Sequence, residues 1–414
     1  MIYGALEKFE TNWGDQTILV KVTQSLTPIE LLKTVEAVFD YDGDAQRYQF
    51  GYFGYFSYEM IRRFEDVGYK QKYASFSDVP EMAFDIYATT IQFDLETQSC
   101  RLVRALSPYW VLSPLDLSEI DQEMFEALDD GSTAKKCRLI TKTMAQEQFY
   151  QHGSVVMDHI AKGDVYQLQL GHEIVVDSDV APYDVYKRMR DRNPAPYMYL
   201  APFGAISLIG ASPEVFVKLE GEKITMRPIA GTVARGDCAE ENKRRNEVLL
   251  NDEKELAEHL MLVDLCRNDI GRVAQPKSLD VTELMRIEEY SHVNHIVSNI
   301  IADIAPEFDK YDLLCKTFPA GTMTGTPKVR AMEIIEQLEH TTRAAYSGFV
   351  GLIDFKGFTN TALIIRTTSY AEGRYSLRAS AGFVADSTLE GEWKETLAKL
   401  AVVYWAVTGE ELNE

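Results

Sequence analysis

The order of short apolar runs along the chain is the feature that most restricts its fold. Strand-like runs separated by turns fill about the first 110 residues, with one helix predicted at "PIELLKTVEAVF". Farther on, predicted helices at 144–161 and 240–268 are mixed with strand-like runs such as "AISLIGASP" and "TALIIRTTSY". Because strands and helices do not alternate regularly, the order favours an α+β fold over a wound βαβ sheet.

A soft domain boundary is predicted near residue 138. Residues 113–136 are acidic and interrupted by Ser and Gly, which predicts a solvated helix followed by a linker. The boundary divides the chain into regions 1–138 and 139–410. With 414 residues, the chain is long enough for one large layered domain or for two domains with their own cores.

Composition and charge exclude several functions. The net charge is −22 and no dense Lys/Arg patch offsets it, so a nucleic-acid partner is not expected. No apolar run is long enough for a membrane helix, and the acidic N-terminus is unlike a signal peptide. Five scattered cysteines without a CxxC pair predict buried thiols in a reducing compartment, so a cytoplasmic protein is expected. An anionic substrate would need local positive charge in its site.

The stretch "PAGTMTGTPKVRAME" at 319–333 is rich in Gly and Thr just before a predicted helix. Its glycine spacing does not match a Walker loop. Thr326 is predicted to cap the helix and Pro327 to be its first residue. Exposed amides at such a helix start can bind a phosphate or a carboxylate. On this stretch alone, an ordinary glycine-rich turn is the better interpretation.

Acidic side chains on two predicted helices suggest a metal site. In "EGEWKETLAKLAVV", Glu392, Glu395 and Lys399 share one helix face. A solvated stripe is the usual explanation, but the rest of that helix is largely apolar. Paired carboxylates without a neighbouring thiol or imidazole suit Mg²⁺. Glu258, on a helix predicted to end at Gly271, matters only if the other acidic helix lies close to it.

Three further segments have polar groups in apolar surroundings. Glu214 of "GASPE" begins a strand, where a carboxyl group with a raised pKa can act as a general acid; an ordinary turn glutamate is equally compatible. His292 and His295 lie in a segment predicted to be helical and are interpreted as core or site-wall residues rather than zinc ligands. Arg366 interrupts an apolar strand-like run, so it is expected to bind an anion or an internal carboxylate.

Ten segments follow one another along the chain: "GDVYQLQL", "NPAPYM", "GASPE", "RPIAGT", "AEHLMLVDLCRNDIGRVA", "YSHVNHIVS", "FPAGTMTGTPKVRAMEII", "YSGFVG", "ALIIRT" and "AGFVADSTLEGEWKET". In this order they resemble the chorismate-utilising enzymes, and most closely anthranilate synthase component I. Aminodeoxychorismate synthase component I and isochorismate synthase are relatives in that family. The resemblance implies an α+β fold with two large packed β-sheets and helices outside. It also implies that 1–138 is the N-terminal region of component I and that 139–410 is the chorismate-binding catalytic domain.

The resemblance also implies roles for individual residues. Glu258 and Glu395 would bind one Mg²⁺, with Glu392 beside them, and the ion would hold the ring carboxylate of chorismate. Glu214 would protonate the departing 4-hydroxyl group. Three groups would hold the enolpyruvyl carboxylate, and four further residues would line the substrate pocket. The carboxylate would be held by Tyr346, Arg366 and Lys399. The pocket would be lined by Thr322, Ala381, Gly382 and Ala230.

Within the family, two positions favour amination at ring carbon 2, and a third concerns the product that follows. Gln167 replaces the lysine base of relatives that add water, and an amide cannot take up a proton at neutral pH. Ala230 stands where relatives that aminate ring carbon 4 have lysine. His295 matches a histidine associated with pyruvate elimination, so anthranilate is the expected product. Without that elimination, 2-amino-2-deoxyisochorismate would accumulate, and aminodeoxychorismate synthase component I stays an alternative.

Some features depart from the family pattern. Ser380 replaces a glycine in the glycine-rich stretch, and Gly171 and His172 replace the commoner ending of "GDVYQLQL". The N-terminal Leu-Leu-Glu-Ser element of the tryptophan site is not evident, so weak or absent tryptophan inhibition is expected. No amidotransferase pattern is found, so the resemblance implies ammonia from a separate glutamine amidotransferase subunit. A non-catalytic chorismate-binding subunit is the alternative, against which the retained acidic residues argue.

Overall fold

A computed structural model describes residues 9–13, 16–20, 26–39, 47–68, 79–105, 137–289 and 293–412. Two antiparallel sheets, of seven and nine strands, dominate these residues. The strands are β1 (Phe9–Trp13), β2 (Gln16–Val20), β3 (Gly51–Phe56), β4 (Met82–Ile86), β5 (Thr89–Asp94), β6 (Ser99–Arg104), β7 (Cys137–Lys142), β8 (Gln167–Ser178), β9 (Tyr197–Phe203), β10 (Ile206–Ser212), β11 (Val215–Glu220), β12 (Lys223–Met226), β13 (Ile229–Ala234), β14 (Asp280–Glu289), β15 (Val293–Asp303), β16 (Gly325–Thr326), β17 (Phe349–Asp354), β18 (Thr359–Leu363), β19 (Thr367–Ala371) and β20 (Arg374–Phe383). The helices are α1 (Pro28–Glu36), α2 (Gln146–Ala161), α3 (Pro182–Arg192), α4 (Ala239–Leu249), α5 (Glu253–Gly271), α6 (Lys310–Thr317), α7 (Lys328–Leu338) and α8 (Leu389–Thr408), with 3₁₀ turns at Tyr58–Arg63 and Gly321–Met323.

The two sheets pack against each other and place helices on their outer faces, which confirms the predicted α+β fold. Tyr55 and Val350 of the nine-stranded sheet contact the cluster that contains Ala201 and Leu208 of the seven-stranded sheet. On the opposite face of the seven-stranded sheet, Leu168 and other β8 residues pack with apolar residues of α2, α7 and α8. Because side chains alternate along a strand, the intervening polar residues of β8 project to the face away from these helices.

Strands from both predicted regions share one sheet. The nine-stranded sheet has the order β13-β15-β12-β11-β18-β17-β3-β4, with β14 also pairing β15. Strand β3 pairs with β17 from Phe56 opposite Phe349 to Gly51 opposite Asp354. The boundary near residue 138 stays a prediction, and the helix and linker predicted at 113–136 lie outside the described residues.

The chain crosses between the sheets at two neighbouring connections. The seven-stranded sheet has the order β16-β8-β20-β19-β10-β9, with β7 also pairing β8. Glu214 lies between β10 and β11, and Arg366 lies between β18 and β19. Backbone hydrogen bonds run from Leu363 N to Glu214 O (3.0 Å) and from Ala211 N to Arg366 O (3.1 Å). The single strand predicted at "TALIIRTTSY" is therefore wrong, because the chain changes sheets there and Arg366 takes φ +50°.

Two predicted helices differ from the structure. The predicted helix 240–268 is divided into α4 and α5, because the Asp252 side chain accepts from two backbone amides and starts a new helix. Gly271 is the last residue of α5, and Arg272 keeps right-handed helical angles rather than ending the helix with a left-handed cap. His295 lies in strand β15 and not in a helix; His292 lies outside the described residues.

The start of α7 also differs from its prediction. Thr326 cannot cap the helix because it belongs to β16 and pairs with Gln167 of β8. The helix begins at Lys328, and Pro327 is the extended residue before it. The thiol prediction is wrong for Cys100 and Cys238, which are exposed, whereas Cys266 is buried. None of the helices in the described ranges has an apolar stretch long enough to cross a bilayer.

An internal ion pair replaces a missing strand partner at one edge of β8. Strands β16 and β7 cover the two ends of this edge and leave its middle without a strand. There, the backbone N–H of Gly171 donates to Oε1 of Glu339 (3.0 Å), and Nη2 of Arg343 donates to the carbonyl of Gln169 (2.9 Å). Arg343 also donates to Met323 O (2.7 Å), so the pair links the edge to the loop before α7.

Candidate active site

Glu214 lies at the first crossing, beside the 3₁₀ turn that contains Thr322. The Thr322 hydroxyl donates to Oε1 of Glu214 at 3.4 Å. Burial raises the pKa of the Glu214 carboxyl to about 8, although the Thr322 hydrogen bond and the charges of Lys399 and Arg366 act to lower it. Glu214 and Thr322 line a cavity of about 10 Å³, which is about the size that one water needs. The carboxyl can therefore hold a proton at neutral pH.

Arg366 faces several of the predicted site residues from the second crossing. Burial lowers the pKa of its guanidinium, while Tyr346, Glu395 and Glu214 act to raise it. The structure therefore brings Tyr346, Glu395 and Glu214 within electrostatic range of Arg366. Arg366 forms no ion pair with any described residue. A half-buried guanidinium without an internal carboxylate partner is suited to binding an anionic ligand.

Helix α8 presents the second group of predicted residues. Glu392 is buried, and its Oε2 has no hydrogen-bond partner in the described part of the chain. Glu395 is half-exposed and pairs with Lys399, whose Nζ lies 2.5 Å from Oε1 of Glu395. Lys399 also donates to the carbonyl of Ser380 (2.9 Å), which fixes the ammonium against β20. A cation and two carboxylates thus lie along one face of α8.

Helix α5 adds a pair of carboxylates, one of which the sequence interpretation missed. Burial raises the pKa of Glu258 to about 7, with further increases from Glu255 and Glu395. Burial also raises the pKa of Glu255, with further increases from Asp252 and Glu395. Acidic residues of α5 and α8 are therefore close enough to repel each other. The Glu-x-x-Glu spacing of Glu255 and Glu258 repeats that of Glu392 and Glu395, and this repeat could have revealed Glu255.

The chemistry of these carboxylates fits a hard divalent cation. All the available ligand atoms are oxygens, as Mg²⁺ prefers. The Oε2 atom of Glu392 is buried without a partner among the described residues, and the mutual repulsion of Glu258 and Glu395 would be relieved by a cation. As they stand, no three acidic, His or Cys side chains of the described residues meet closely enough to hold a metal ion. One reason is that Glu395 is engaged by Lys399.

His295 lies on β15 beside the bend in β13. Its Nδ1 lies 3.1 Å from Gly231 O and 3.0 Å from the Thr232 hydroxyl. Because a carbonyl can only accept, Nδ1 has the proton in the neutral ring, which leaves Nε2 unprotonated. Burial lowers the pKa of His295; the Gly231 contact raises it, and the charge of Arg366 lowers it further. His295 is therefore a neutral imidazole within electrostatic range of Arg366.

Gln167 lies under the glycine-rich end of β20. Only 1% of it is exposed, and its Oε1 has no hydrogen-bond partner within the described residues. A Cβ atom built on Gly382 would lie 2.9 Å from Nε2 of both Gln167 and Gln169. Gly382 therefore makes room for two amides. Ala381, which pairs with Leu170, is fully buried on the opposite face of the strand and can offer a ligand only its backbone.

The two sequence departures in this region are neighbours. Ser380 and Gly171 are directly opposite each other on β20 and β8. A Cβ atom on Gly171 would lie 2.2 Å from the Ser380 hydroxyl oxygen, so the serine requires the glycine. Ala230 packs in a small apolar cluster with Leu262 and Leu265 of α5. Alanine at this position has no side-chain amine that could act as a nucleophile.

Comparisons of the sequence and the structure with known proteins identify the family to which the chain is similar. Residues 1–404 match the family described as chorismate binding enzymes. The chain is 44% identical over 404 residues to a 2-amino-4-deoxychorismate synthase of Streptomyces globisporus, covering 96% of this chain and 80% of that protein. It is 37% identical over 407 residues to anthranilate synthase component 1 of Aquifex aeolicus, covering 94% and 81%. The crystal structure of anthranilate synthase component I from Streptococcus pneumoniae superposes with a TM-score of 0.79 at 30% identity, covering 97% and 90%.

Proposed function

Because the chain belongs to the family of chorismate binding enzymes, we propose that it aminates chorismate at ring carbon 2 with ammonia and then eliminates pyruvate to give anthranilate. The observation that supports amination over hydration is the presence of glutamine at position 167. Gln167 presents a buried amide, and no base, at the position where relatives that add water have a lysine. Ammonia is already a nucleophile and needs no such base, whereas water does.

Positive charge at the second crossing would bind the substrate. Arg366 has no internal carboxylate partner among the described residues, and the Tyr346 hydroxyl and Lys399 complete the proposed site for the enolpyruvyl carboxylate. The Thr322 loop and the backbone of Ala381 and Gly382 would line the ring pocket. This local charge would overcome the repulsion between a dianion and a chain of net charge −22.

The proton for the departing 4-hydroxyl group would come from Glu214. Its raised pKa keeps the carboxyl protonated at neutral pH, and the Thr322 hydroxyl orients it. As ammonia bonds to ring carbon 2, the double bonds shift, the bond from carbon 4 to oxygen breaks, and Glu214 turns the leaving group into water. The added nitrogen then loses a proton, which completes the amination.

Pyruvate elimination would need a base near ring carbon 2. The unprotonated Nε2 of His295 can accept the proton from that carbon, since the Gly231 carbonyl holds the proton on Nδ1. The bond between ring carbon 3 and the enolpyruvyl oxygen then breaks, and the enolpyruvyl group takes up a proton to become pyruvate. The ring becomes aromatic, which makes this step favourable.

Glu258 and Glu395, with Glu392 and Glu255 beside them, would hold one Mg²⁺. Bound there, the ion would neutralise and orient the ring carboxylate of chorismate. The support for this site is the oxygen-only set of ligands and the raised pKa of Glu258 between like charges. A separate glutamine amidotransferase is proposed as the source of ammonia, because the chain is similar to component 1 proteins. A cytoplasmic location is also proposed.

A second candidate function is amination of chorismate at ring carbon 2 without pyruvate elimination. It is favoured by the 44% identity to a relative whose name describes an amino group on carbon 2 and no oxygen on carbon 4. Amination at carbon 4, as in aminodeoxychorismate synthase component I, is less well supported because Ala230 offers no amine. A non-catalytic role is opposed by the raised pKa of Glu214.

Product analysis tests these candidates. The purified protein is incubated with chorismate, ammonium and Mg²⁺. The products are then separated by chromatography, and their masses are measured by mass spectrometry. Anthranilate with an equal amount of pyruvate supports the main proposal. An aminated product that retains the enolpyruvyl group supports the second candidate, and no conversion contradicts both. Omission of ammonium should abolish either product.

A further inference from the structure

Lys328 closes the loop that contains Thr322. It is the first residue of α7, and only 10% of its side chain is exposed. Its Nζ lies 2.5 Å from Oδ1 of Asp269 and donates to the carbonyls of Pro319 (2.9 Å) and Thr317 (3.1 Å). The three donors of the ammonium are therefore matched by three acceptors. The lysine joins the end of α6, the start of the loop and the start of α7.

Asp269 connects this lysine to the helix with the α5 carboxylates. It follows Glu258 by 11 positions on α5, which is about three helical turns, so both side chains share one face. Gly321 packs against the same helix, since a Cβ atom built on it would lie 2.9 Å from Cδ2 of Leu265, and its backbone N–H acts to lower the pKa of the Asp269 carboxyl. Gly321 begins the turn that presents Thr322 to Glu214. A short path of contacts thus runs from α5 to the proposed general acid.

A contribution to stability does not by itself explain the buried ion pair between Lys328 and Asp269. Both side chains are buried, and burial raises the pKa of Asp269 and lowers that of Lys328, each shift being opposed by the partner. Buried ion pairs often contribute little net stability, because the cost of removing two charges from water offsets their attraction. What the pair supplies is a fixed relation between the loop and α5.

We propose that Lys328 is a positioning residue that acts through Asp269. It holds the Gly321–Met323 turn against α5, which keeps Thr322 in reach of Glu214 and sets Glu214 relative to Glu258. Lys328 does not itself contact the substrate. The inference rests on the proposed function, because it assigns Lys328 a part in the amination step.

The chain offers a matched control in Lys310. Its Nζ is also buried, lies 2.7 Å from Oε1 of Glu36 and donates to Phe355 O (3.2 Å). None of these contacts involves a site residue. Lys328→Met leaves the buried Asp269 carboxylate without its cation, and Lys310→Met does the same to the partly buried Glu36 carboxylate, which keeps the Tyr311 hydroxyl, so both should lower the free energy of unfolding.

Two readouts separate positioning from stability. Lys328→Met should lower kcat for chorismate amination by about 100-fold, with a smaller change in KM, whereas Lys310→Met should leave kcat near that of the wild type. In the protein without ligands, amide hydrogen exchange at 319–326 should be faster in Lys328→Met and unchanged in Lys310→Met. Equal kcat values in the two variants, or unchanged exchange in this loop, would overturn the proposal.

A double variant covers the case in which Lys328→Met does not fold. Lys328→Met with Asp269→Leu removes both charges and leaves no unpaired ion in the core, so it should fold. It should still show fast exchange at 319–326 and a low kcat; wild-type values for either would overturn the proposal. If the wild type itself fails to convert chorismate, the proposed function fails, while the exchange comparison still tests the loop contact.

Discussion

The ammonium of Lys399 lies 2.5 Å from Oε1 of Glu395, one turn earlier on α8. In the ligand-free protein, the carboxylate proposed to bind Mg²⁺ is therefore held by the cation proposed to bind the substrate. A substrate carboxylate that engages Lys399 would release Glu395 toward Glu258. Substrate and metal should accordingly strengthen each other's binding.

Replacement of Lys399 by Met should tighten metal binding in the absence of substrate. Removal of the ammonium frees Glu395 and deletes a nearby positive charge, which we expect to increase Mn²⁺ affinity about three- to fivefold, in line with about 1 kcal/mol for a partly exposed pair. Isothermal titration calorimetry with Mn²⁺ measures this. Lys394→Met is the control, because Lys394 pairs with Glu390 at the same spacing on α8. Weaker or unchanged Mn²⁺ binding by Lys399→Met would contradict the competition.

The activity should fall as the pH rises past about 8. Burial raises the pKa of Glu214 to about 8, and only the protonated carboxyl can donate to the leaving hydroxyl. Below that pH the acid is protonated, and above it the active fraction declines tenfold per pH unit. The pH dependence of kcat, measured from 6 to 10, checks this sign.

Glu214→Gln should remove this decline together with most of the activity. Loss of a general acid typically lowers the rate by about 100- to 10,000-fold. Glu220→Gln is the control, because Glu220 ends β11, the strand that follows Glu214, and pairs with Lys218. A Glu214→Gln variant that turns over normally would instead support a role without proton transfer.

His295→Asn should separate amination from pyruvate elimination. The asparagine amide can still donate to the Gly231 carbonyl, but it cannot accept a proton from ring carbon 2. We expect the aminated product with its enolpyruvyl group to accumulate while the rate of anthranilate formation falls at least about 100-fold. Mass spectrometry detects the first product and fluorescence the second. His159→Asn, which alters a contact with Asp164 on another part of the surface, should leave the product ratio unchanged; unimpaired anthranilate formation by His295→Asn would exclude it as the base.

Gly171→Ala should destabilise the protein through a defined clash. The new Cβ would lie 2.2 Å from the Ser380 hydroxyl and 2.6 Å from Ala379 O. We expect a loss of about 1–3 kcal/mol in the free energy of unfolding, measured by denaturant titration. Ser380→Gly should restore only part of it, because the backbone contact remains. Gly271→Ala is the control, since its Cβ would meet nothing within 4 Å; equal effects at Gly171 and Gly271 would contradict the proposed packing.

Sequence patterns were most reliable where local chemistry decides the structure. The helices predicted at "PIELLKTVEAVF", at 144–161 and in "EGEWKETLAKLAVV" correspond to α1, α2 and α8, and the order of strands and helices led to the α+β fold. The predictions from sequence patterns failed where the local structure depends on pairing with a strand that is distant along the chain. Threonine is a residue type that often caps helices, so Thr326 was predicted to cap α7. In the structure it pairs with Gln167 of β8 instead and does not cap the helix. The apolar run around Arg366 is typical of one strand, yet its two halves belong to different sheets.

The amino-acid sequence alone was sufficient to predict the family, the fold class and the set of acidic and basic residues that the proposed chemistry needs, because these depend on residue types at set spacings. Only the folded chain shows that Arg366 faces Glu214 across two adjacent crossings, that Glu395 is held by Lys399, and that Lys328 binds Asp269. Such contacts join residues that are far apart along the chain or depend on which rotamer a side chain adopts. Burial then sets the pKa of Glu214, and no local sequence pattern records how much water a carboxyl group loses on folding.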